Sequence, residues 1–350
     1  MTNGTSVSRD PVHGSPALTG PDRRIVGALL AHPRATVAAL ATAAGVTSPT
    51  ASRRLAALLA RGDVRVTGVL DREWARAGLT VWLRVRCAPG HSRDVARQIA
   101  SWDEAGYVAV TGGELDCAAQ VAVRNARELL GVTHHRLRSM TGVVTGDALR
   151  VLRRFATPHG WTAGILAPQE TARLRTGRWD AWDEGREPRG VSLDEVDARL
   201  VDALVADGRL SWRELGERAA VAPATAGRRV EALMRRGPLR VRAVVDPALV
   251  GRPVVALVWL RVLPSRLEVA GRTLAAHPDV LSVAATTGQH NLCGEIAVAD
   301  DEALYRFLTS DVGSIPGVAA VEVTDGLEVI KRAARIFGSP LDHDDVPPLP

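Results

Sequence analysis

Hydrophobic residues recur at helical spacing over residues 22–62, and the pattern divides this stretch into three helices. The predicted helices are 22–31, 36–43 and 48–61, with a turn at Gly45 and a stop at Gly62. Thr47 is a good N-cap for the last helix. Three short helices in this order predict a helix-turn-helix unit, whose last helix is expected to enter the major groove of DNA.

A second stretch has the same organisation. Ser211 stands three residues before Glu214, the spacing of a capping box that opens a helix over 212–219. Pro223 is suited to the first position of the next helix, which is expected to run to about Arg236. The sequence therefore predicts a second helix-turn-helix unit.

The two stretches are copies. Residues 22–62 align without a gap with 197–237 at a constant offset of 175, and 18 of the 41 positions are identical. The pentapeptide VWLRV at 81–85 recurs at 258–262. A period this long indicates duplication of a whole module rather than a solenoid repeat.

A β-rich part follows each helical unit and reads strand, helix, strand, strand, helix, strand. The predicted spans are 79–86, 91–101, 106–111, 116–123, 125–138 and 143–153 in the first copy, and 253–262, 266–276, 280–286, 292–298, 301–311 and 318–330 in the second. This is the ferredoxin-like βαββαβ order. One face of each sheet is left open, and its apolar residues favour pairing with a second such sheet. The fold class is therefore α+β, with two copies of a winged helix-turn-helix unit followed by a ferredoxin-like domain.

The expected boundaries follow from these elements. They are a disordered tail over 1–17, helix-turn-helix units over 18–78 and 191–252, ferredoxin-like domains over 79–155 and 253–337, a linker over 156–190, and a disordered tail over 338–350. The linker region contains Trp161, Trp179 and Trp182, which are costly to expose, so part of it is expected to pack on a neighbour.

Charge is concentrated in the helical units. The chain has 44 basic and 39 acidic residues, and Lys331 is its one lysine. Residues 22–62 carry six arginines against one aspartate, a net +5, whereas 197–237 carry eight arginines against six acids, a net +2. The first unit is therefore expected to contact DNA more strongly. Three cysteines without paired spacing, and no apolar stretch long enough to span a membrane, suggest a reducing, cytoplasmic setting without a structural metal.

Each last helix presents a core face and a polar face. At 100° per residue, Arg53 and Arg228 lie opposite the apolar positions, where an arginine can donate two hydrogen bonds to guanine. Arg54 and Arg229 lie nearer the core edge, where phosphate contact or an ion pair suits them better. The candidate DNA-binding residues are Thr47, Ser48, Thr50, Ser52, Arg53 and Arg54 in the first unit and Thr225, Gly227, Arg228 and Arg229 in the second.

The chain resembles the Lrp/AsnC (leucine-responsive, feast/famine) transcriptional regulators. The resemblance is carried by LDEVDARLVDAL at 193–204, DGRLSWRELGERAAVAPATAGRRVEAL at 207–233 and IPGV at 315–318, and by Thr111, Gly113 and Asp116. It covers about 18–155 and 191–337, and is closer in the second module. It implies double-stranded DNA as partner, an amino-acid effector bound near dimer contacts, and dimers formed through the ferredoxin-like domain. A double module looks like a fused dimer whose two sheets pair within one chain, and further homodimerisation stays open.

The family pattern places the effector site at the turn before the third strand. The candidate effector-binding residues are Gly113, Glu114 and Asp116 in the first copy and Gly288, Gln289 and Asn291 in the second. At the last of these positions the acid Asp116 can pair with a ligand ammonium, whereas the amide Asn291 can only hydrogen-bond. The alternative is that the glycines serve a tight turn and the polar groups cap it.

An enzymatic alternative rests on fold. Siroheme decarboxylases, which act on tetrapyrroles, use the same two-domain fold in duplicated form and rely on His, Tyr and Arg clusters. Here Tyr107 and Tyr305 are the only tyrosines, and the pair His134 and His135 has no counterpart in the second copy. The sequence therefore favours a non-enzymatic regulator without a cofactor. Its DNA affinity is expected to respond to a small amino-acid-like effector, through linked units on a pseudo-palindromic site.

Overall fold

The computed structural model describes residues 17–70, 78–175, 193–236, 239–332 and 335–336. The predicted tails (apart from residue 17) and the whole of 176–190, with Trp179 and Trp182, lie outside these ranges.

Three helices form each DNA-binding unit, close to the predicted spans. They are α1 (Gly20–Ala31), α2 (Val37–Ala44) and α3 (Ser48–Arg61) in the first unit, and α7 (Glu195–Ala206), α8 (Trp212–Ala219) and α9 (Pro223–Arg236) in the second. The predicted capping box is present at α8, where the Ser211 hydroxyl accepts from Glu214 N at 3.2 Å and the Glu214 carboxylate accepts from Ser211 N at 2.7 Å. Thr36 caps α2 in the same way, by accepting from Ala39 N.

Both ferredoxin-like domains have the predicted element order. In the first, the elements are β2 (Leu79–Cys87), α4 (Ser92–Ala100), β3 (Ala105–Gly112), β4 (Cys117–Val123), α5 (Ala126–Leu130) and β5 (Val143–Ala156). In the second, they are β7 (Val254–Val262), α10 (Leu267–Ala275), β8 (Val280–Thr286), β9 (Leu292–Val298), α11 (Asp301–Arg306) and β10 (Val318–Arg332), after which β11 (Arg335–Ile336) pairs back on β10. The helices α5 and α11 continue as π-helical turns over Gly131–Arg136 and Phe307–Val312.

The two sheets join edge to edge into one closed barrel. β5 of the first domain pairs with β8 of the second, and β10 of the second pairs with β3 of the first, all antiparallel. These pairings explain why β5 and β10 are longer than predicted, because Ala156 pairs with Val283 and Arg332 with Tyr107. The predicted open faces thus line the inside of the barrel.

Aromatic side chains fill the centre of the barrel. Trp82 and Trp259, from the two copies of VWLRV, pack edge to face at 5.6 Å between ring centroids, and Tyr107 packs on Trp82 at 5.5 Å. All three are buried, and the Trp259 indole N–H donates to Thr324 Oγ1 at 3.1 Å. The helices cover the outer faces of the sheets over separate apolar cores.

A two-stranded ribbon joins the DNA-binding units. β1 (Val64–Leu70) pairs antiparallel with β6 (Leu239–Val245), and Thr67 faces Arg242 across the ribbon. Thr67 and Arg242 are 175 residues apart and thus equivalent in the duplication, so a pseudo-two-fold axis passes through this pair. The strand that follows each helix-turn-helix unit therefore pairs with the equivalent strand of the other unit.

The chain between β5 and the second unit packs against both modules in its described part. Trp161 is buried, and its indole N–H donates to Pro278 O at 2.9 Å in the second ferredoxin-like domain. Ala163 and Leu166 enter the core of the first DNA-binding unit, and helix α6 (Pro168–Leu174) follows. Among the described residues, the longest helices are too short or too polar to cross a membrane.

Candidate nucleic-acid interface and effector site

The exposed faces of α3 and α9 carry the arginines expected to read bases. Ala51, Leu55 and Leu58 of α3 are buried, as are the equivalent Ala226, Val230 and Leu233 of α9. Arg53 and Arg228 point away from these cores and are exposed, with Ser52 exposed beside Arg53. Neither arginine makes a hydrogen bond or ion pair with a described residue. Both guanidinium groups are available to an external partner.

The next arginine of each helix is held by an acid of the first helix. Arg54 Nη1 lies 2.9 Å from Asp22 Oδ1, and Arg229 Nη1 lies 2.9 Å from Asp197 Oδ1. Asp22 and Asp197 are equivalent positions, so the duplication has kept this pair in both units. Asp194 adds a second bond to Arg229 at 2.5 Å. The two arginines therefore fix α3 and α9 against α1 and α7.

The starts of the two helices differ. Thr47 precedes α3 in extended conformation without a side-chain bond to the helix backbone, and its hydroxyl donates to Thr50 Oγ1 at 3.0 Å. Ser48 is exposed. In α9, Thr225 and Gly227 are half-buried, and a Cβ added at Gly227 would lie 3.6 Å from the Trp212 ring. A side chain at this position would therefore make an ordinary van der Waals contact with the indole.

Two equivalent arginines clamp the DNA-binding units together. Arg34 donates to Gly208 O at 2.5 Å and Leu210 O at 2.7 Å, while Arg209 donates to Pro33 O at 2.8 Å and Ala35 O at 3.0 Å. The Arg34 guanidinium also lies 4.6 Å from the centroid of the Trp212 ring. Burial and the positive charge of Arg209 lower the pKa of Arg34. This reciprocal contact, which we call the arginine clasp, sets the relative placement of α3 and α9.

The predicted effector turns lie at one end of β3 and β8. Gly113 and Gly288 have φ of 110° and 98°, values that favour glycine. Glu114 and Gln289 are exposed, and the Glu114 carbonyl accepts from Arg86. The polar side chain at the end of each turn is hydrogen-bonded to a neighbouring strand. Asp116 Oδ2 accepts from Cys87 N at 2.8 Å. Asn291 Oδ1 accepts from Val262 N, and Asn291 Nδ2 donates to Val262 O, both at 2.8 Å.

A charged cluster beside the second turn was not anticipated from the sequence. Arg84 Nη2 lies 2.6 Å from Glu322 Oε1, and Arg84 Nη1 lies 2.9 Å from His290 Nδ1. Burial lowers the pKa of His290, and Arg84 adds to this, against the opposing effect of Glu322. Arg84 is buried, whereas its counterpart Arg261 is exposed. The repeated VWLRV sequence places an arginine at both positions but does not indicate that only Arg84 is buried.

Two known domain families match the chain twice each. The AsnC-type helix-turn-helix domain matches residues 18–59 and 193–234, and the Lrp/AsnC ligand binding domain matches 80–159 and 255–336. Two helix-turn-helix units, each followed by a ligand-binding domain, define a DNA-binding transcriptional regulator that responds to a ligand. The chain belongs to the Lrp/AsnC family, in a duplicated form.

Similar proteins correspond to one module. An uncharacterised HTH-type transcriptional regulator of Pyrococcus abyssi is 32% identical over 152 residues, 43% of this chain and 96% of that protein. The HTH-type transcriptional regulator FL11 of Pyrococcus abyssi is 29% identical over 147 residues, 42% of this chain and 97% of that protein. Nearly the full length of each of these proteins therefore corresponds to less than half of this chain.

One solved structure shares the fold over most of the chain. The siroheme decarboxylase NirDL has a TM-score of 0.58 at 15% identity, covering 90% of this chain and 93% of that chain. E. coli AsnC has a TM-score of 0.37 at 22% identity, covering 39% of this chain and 94% of that chain. At this level of identity the likeness to NirDL concerns the double-module fold alone.

Proposed function

We propose that a single chain reads a two-part DNA site through both helix-turn-helix units, as an intrachain counterpart of a dimeric regulator. The observation that carries this proposal is the arginine clasp together with the β1–β6 ribbon, which hold the two recognition helices in one fixed arrangement. Half-sites are expected about one helical turn of DNA apart, or a multiple of it. The proposed localisation is the cytoplasm, where the protein would bind DNA.

The proposed half-sites are unequal. Residues 22–62 carry a net +5 and 197–237 a net +2, so the first unit has the stronger attraction to phosphate. Arg53 and Arg228 are the proposed base readers, and Arg54 and Arg229 support them through their ion pairs. The proposed contacts to the DNA phosphate backbone come from hydroxyl side chains: Thr47, Ser48, Thr50, Ser52 and Thr225. Gly227 is proposed to allow close approach of the second recognition helix to DNA.

The proposed effector is a small amino-acid-like molecule at the turns of residues 113–116 and 288–291. Exposed Glu114 can accept from an ammonium, which the amide of Gln289 does more weakly. Asp116 and Asn291 make the same strand-to-turn bond through an oxygen, so Asp116→Asn keeps this bond while removing the charge. We expect Asp116→Asn to weaken the effector response, because the backbone bond from Cys87 N is kept and only the charge is lost. An effector response of Asp116→Asn equal to that of the wild type would assign Asp116 to the turn alone.

Binding-site selection with the purified full chain tests the function, with and without a pool of the twenty amino acids. We expect a selected sequence with two related, non-identical half-sites, and a change in affinity with at least one amino acid. Failure to enrich any sequence would contradict the proposal. Measuring the mass of the free protein tests whether two chains form a homodimer. The two-site proposal requires only one chain.

The double-module likeness to NirDL motivates a second candidate function, a tetrapyrrole enzyme. The structure brings few of the anticipated groups together: Tyr107 is buried in the barrel, Tyr305 is 63% exposed, and His134 and His135 are exposed on a π-helical turn. Incubating the purified chain anaerobically with siroheme distinguishes the candidates. Loss of carboxyl groups from siroheme would support the enzyme, and a selected DNA site without turnover would support the regulator.

A further inference from the structure

The last strand of each ferredoxin-like domain ends on the other domain. β5 pairs with β2 of its own domain as far as Arg150 and then with β8 of the second domain. β10 pairs with β7 of its own domain as far as Asp325 and then with β3 of the first domain. Each strand end packs against the first helix of the domain it reaches, β5 against α10 and β10 against α4. The barrel therefore has two equivalent junctions, each made by one strand end and one helix.

An ion pair connects strand and helix at each junction, and its charges are reversed between the two. Arg93 Nη2 of α4 lies 2.9 Å from Glu328 Oε2 of β10. Glu268 Oε1 of α10 lies 3.2 Å from Arg153 Nη2 of β5. Arg93 and Glu268 are 175 residues apart, as are Arg153 and Glu328, and the strand register places the latter two at equivalent positions. The first domain thus carries arginine at both positions, and the second carries glutamate at both.

The buried contact two residues further along each strand differs in size between the junctions. Phe155 of β5 packs over Gly271 of α10, and a Cβ added at Gly271 would lie 2.6 Å from Cζ of the Phe155 ring and closer still to its Cε2 and Cδ2. Carbon atoms pack at about 3.5–4.0 Å, so a side chain at position 271 would overlap with this ring. The equivalent residues at the other junction are Ile330 of β10 and Ala96 of α4, which are buried in the same core. One junction therefore combines a large side chain with glycine, and the other a smaller side chain with alanine.

Lys331 of β10 adds hydrogen bonds that its equivalent in β5 cannot make. It is the one lysine of the chain and is 5% exposed, and its Nζ donates to Ala100 O at 2.7 Å and to Trp102 O at 2.9 Å. These carbonyls lie at the end of α4, where a cation is also favoured by the helix dipole. The equivalent residue of β5 is Ala156, whose side chain has no donor. The end of β10 is therefore fitted to α4 by bonds that the end of β5 could not replace.

Two first domains brought together at this surface would not fit. Arg153 would meet Arg93, so that like charges would face each other across the junction. The ring of Phe155 would meet Ala96, whose Cβ occupies the space that Gly271 leaves free. Charge and shape thus both oppose a barrel built from two first domains.

Two second domains would also fit poorly. Glu328 would meet Glu268, and this repulsion would be partly offset because Glu268 Oε1 also lies 2.8 Å from Arg272 Nε of its own helix. Ile330 would meet Gly271 and leave a void where a phenylalanine ring now packs. The exclusion is therefore stronger for two first domains than for two second domains.

We propose that the joining surface of the barrel accepts only a domain of the opposite kind, a first domain with a second. The partner that fits the first domain presents glutamates at the positions of Glu268 and Glu328 and a glycine at the position of Gly271. The second ferredoxin-like domain meets all three conditions, and a copy of the first domain meets none of them. Each barrel then carries one DNA-binding unit of each kind, which is the combination that two unequal half-sites require.

Exchanging residues between the junctions reproduces the contacts of like domains inside one full-length chain, without a change in composition or net charge. The strand-exchange variant carries Arg153→Glu, Phe155→Ile, Glu328→Arg and Ile330→Phe. The complete-exchange variant adds Arg93→Glu, Ala96→Gly, Glu268→Arg and Gly271→Ala, which restores each contact at the opposite junction. In thermal unfolding without DNA, we expect the strand exchange to lower Tm by about 5 °C or more. The complete exchange should recover most of this loss.

Smaller changes test the same surface should the strand-exchange variant fail to fold. Gly271→Ala is expected to lower Tm, although alanine in place of a helical glycine ordinarily stabilises a helix. Adding Phe155→Ile should restore Tm, because the second junction then has the same buried pair as the first. Gly131→Ala is the matched control, since Gly131 has helical backbone angles and open space around it, and it should keep or raise Tm.

Three results would overturn the proposal. They are a strand-exchange Tm equal to that of the wild type, a complete exchange no more stable than the strand exchange, and a Gly271→Ala Tm at or above the wild-type value. All of these measurements are made without DNA. A failure here therefore leaves the proposed DNA recognition standing, and that function is tested separately by binding-site selection.

Discussion

Arg34 and Arg209 stand 175 residues apart and each donates two hydrogen bonds to backbone carbonyls of the loop that carries the other. Both are substantially buried, and the carbonyls they reach would otherwise be hard to satisfy between the two units. The clasp is thus a symmetric contact within one polypeptide, and it connects the duplication directly to the geometry of DNA recognition.

Arg34→Met is expected to lower the free energy of unfolding by about 2–3 kcal/mol, because two hydrogen bonds from a charged donor are lost. Affinity for DNA with two half-sites should fall at least tenfold, while affinity for one isolated half-site stays the same. Urea denaturation and fluorescence anisotropy measure these effects. Arg213→Met, at an exposed arginine paired with Glu217, is the matched control. A parallel loss on both DNAs would contradict a role in coupling.

Neighbouring arginines of α3 should respond differently to alanine. Arg53→Ala is expected to weaken binding to the selected site by about 1–3 kcal/mol and to relax preference at one base pair, since Arg53 is exposed and has no ion pair with a described residue. Arg54→Ala should instead reduce stability, by less than about 1 kcal/mol because its pair with Asp22 is partly exposed. Competition binding and thermal unfolding distinguish the two.

The alanine variant of the equivalent arginine in α9 shows which of the two units contributes more to DNA affinity. Arg228→Ala is expected to weaken binding less than Arg53→Ala, following the smaller positive charge of 197–237. A larger loss at Arg228 than at Arg53 would reverse the proposed order of the half-sites.

The turn before each recognition helix offers a matched pair of backbone variants. Gly45 ends α2 with φ of 66°, and the equivalent Ala220 ends α8 with φ of 56°, where a side chain is strained. Ala220→Gly is therefore expected to stabilise the second unit by about 1 kcal/mol, and Gly45→Ala to destabilise the first by a similar amount. Chemical denaturation measures both. A loss of stability in Ala220→Gly would show that the strain is relieved elsewhere.

Acid should destabilise the protein through half-buried histidines. Burial is the main cause that lowers the pKa of His159, His277 and His290. These groups bind fewer protons when folded, so their stabilising contribution is present above the unfolded pKa of about 6.5 and is lost as the pH falls below it. The free energy of unfolding should fall between pH 7 and pH 5, and less so in His159→Gln. Exposed His134→Gln should keep the wild-type slope.

Local patterns predicted most of the elements, because helix caps, turn glycines and apolar spacing act within a few residues. The Ser211–Glu214 capping box and the core faces of α3 and α9 are examples. The repeat also indicated which positions would be equivalent. The closed barrel, however, depends on which strand edges meet, and only the extra length of β5 and β10 reflects it.

Local sequence patterns did not predict the contacts between distant segments. Arg34 and Arg209 are identical in the alignment, yet nothing near them in sequence indicates that each reaches the other's loop. Arg242 lies in an alternating strand and is indistinguishable there from a solvated arginine. Its burial follows from the ribbon lying on the barrel, a relationship between residues more than fifty positions apart.

The fused arrangement is tested by footprinting the selected DNA with the full chain while its mass on that DNA is determined by mass photometry. One chain should protect two half-sites about one helical turn of DNA apart, or a multiple of it, and Arg34→Met should leave one protected at the same concentration. Protection of a single half-site by one wild-type chain, with the second protected only when another chain binds, would contradict the tandem reading of DNA.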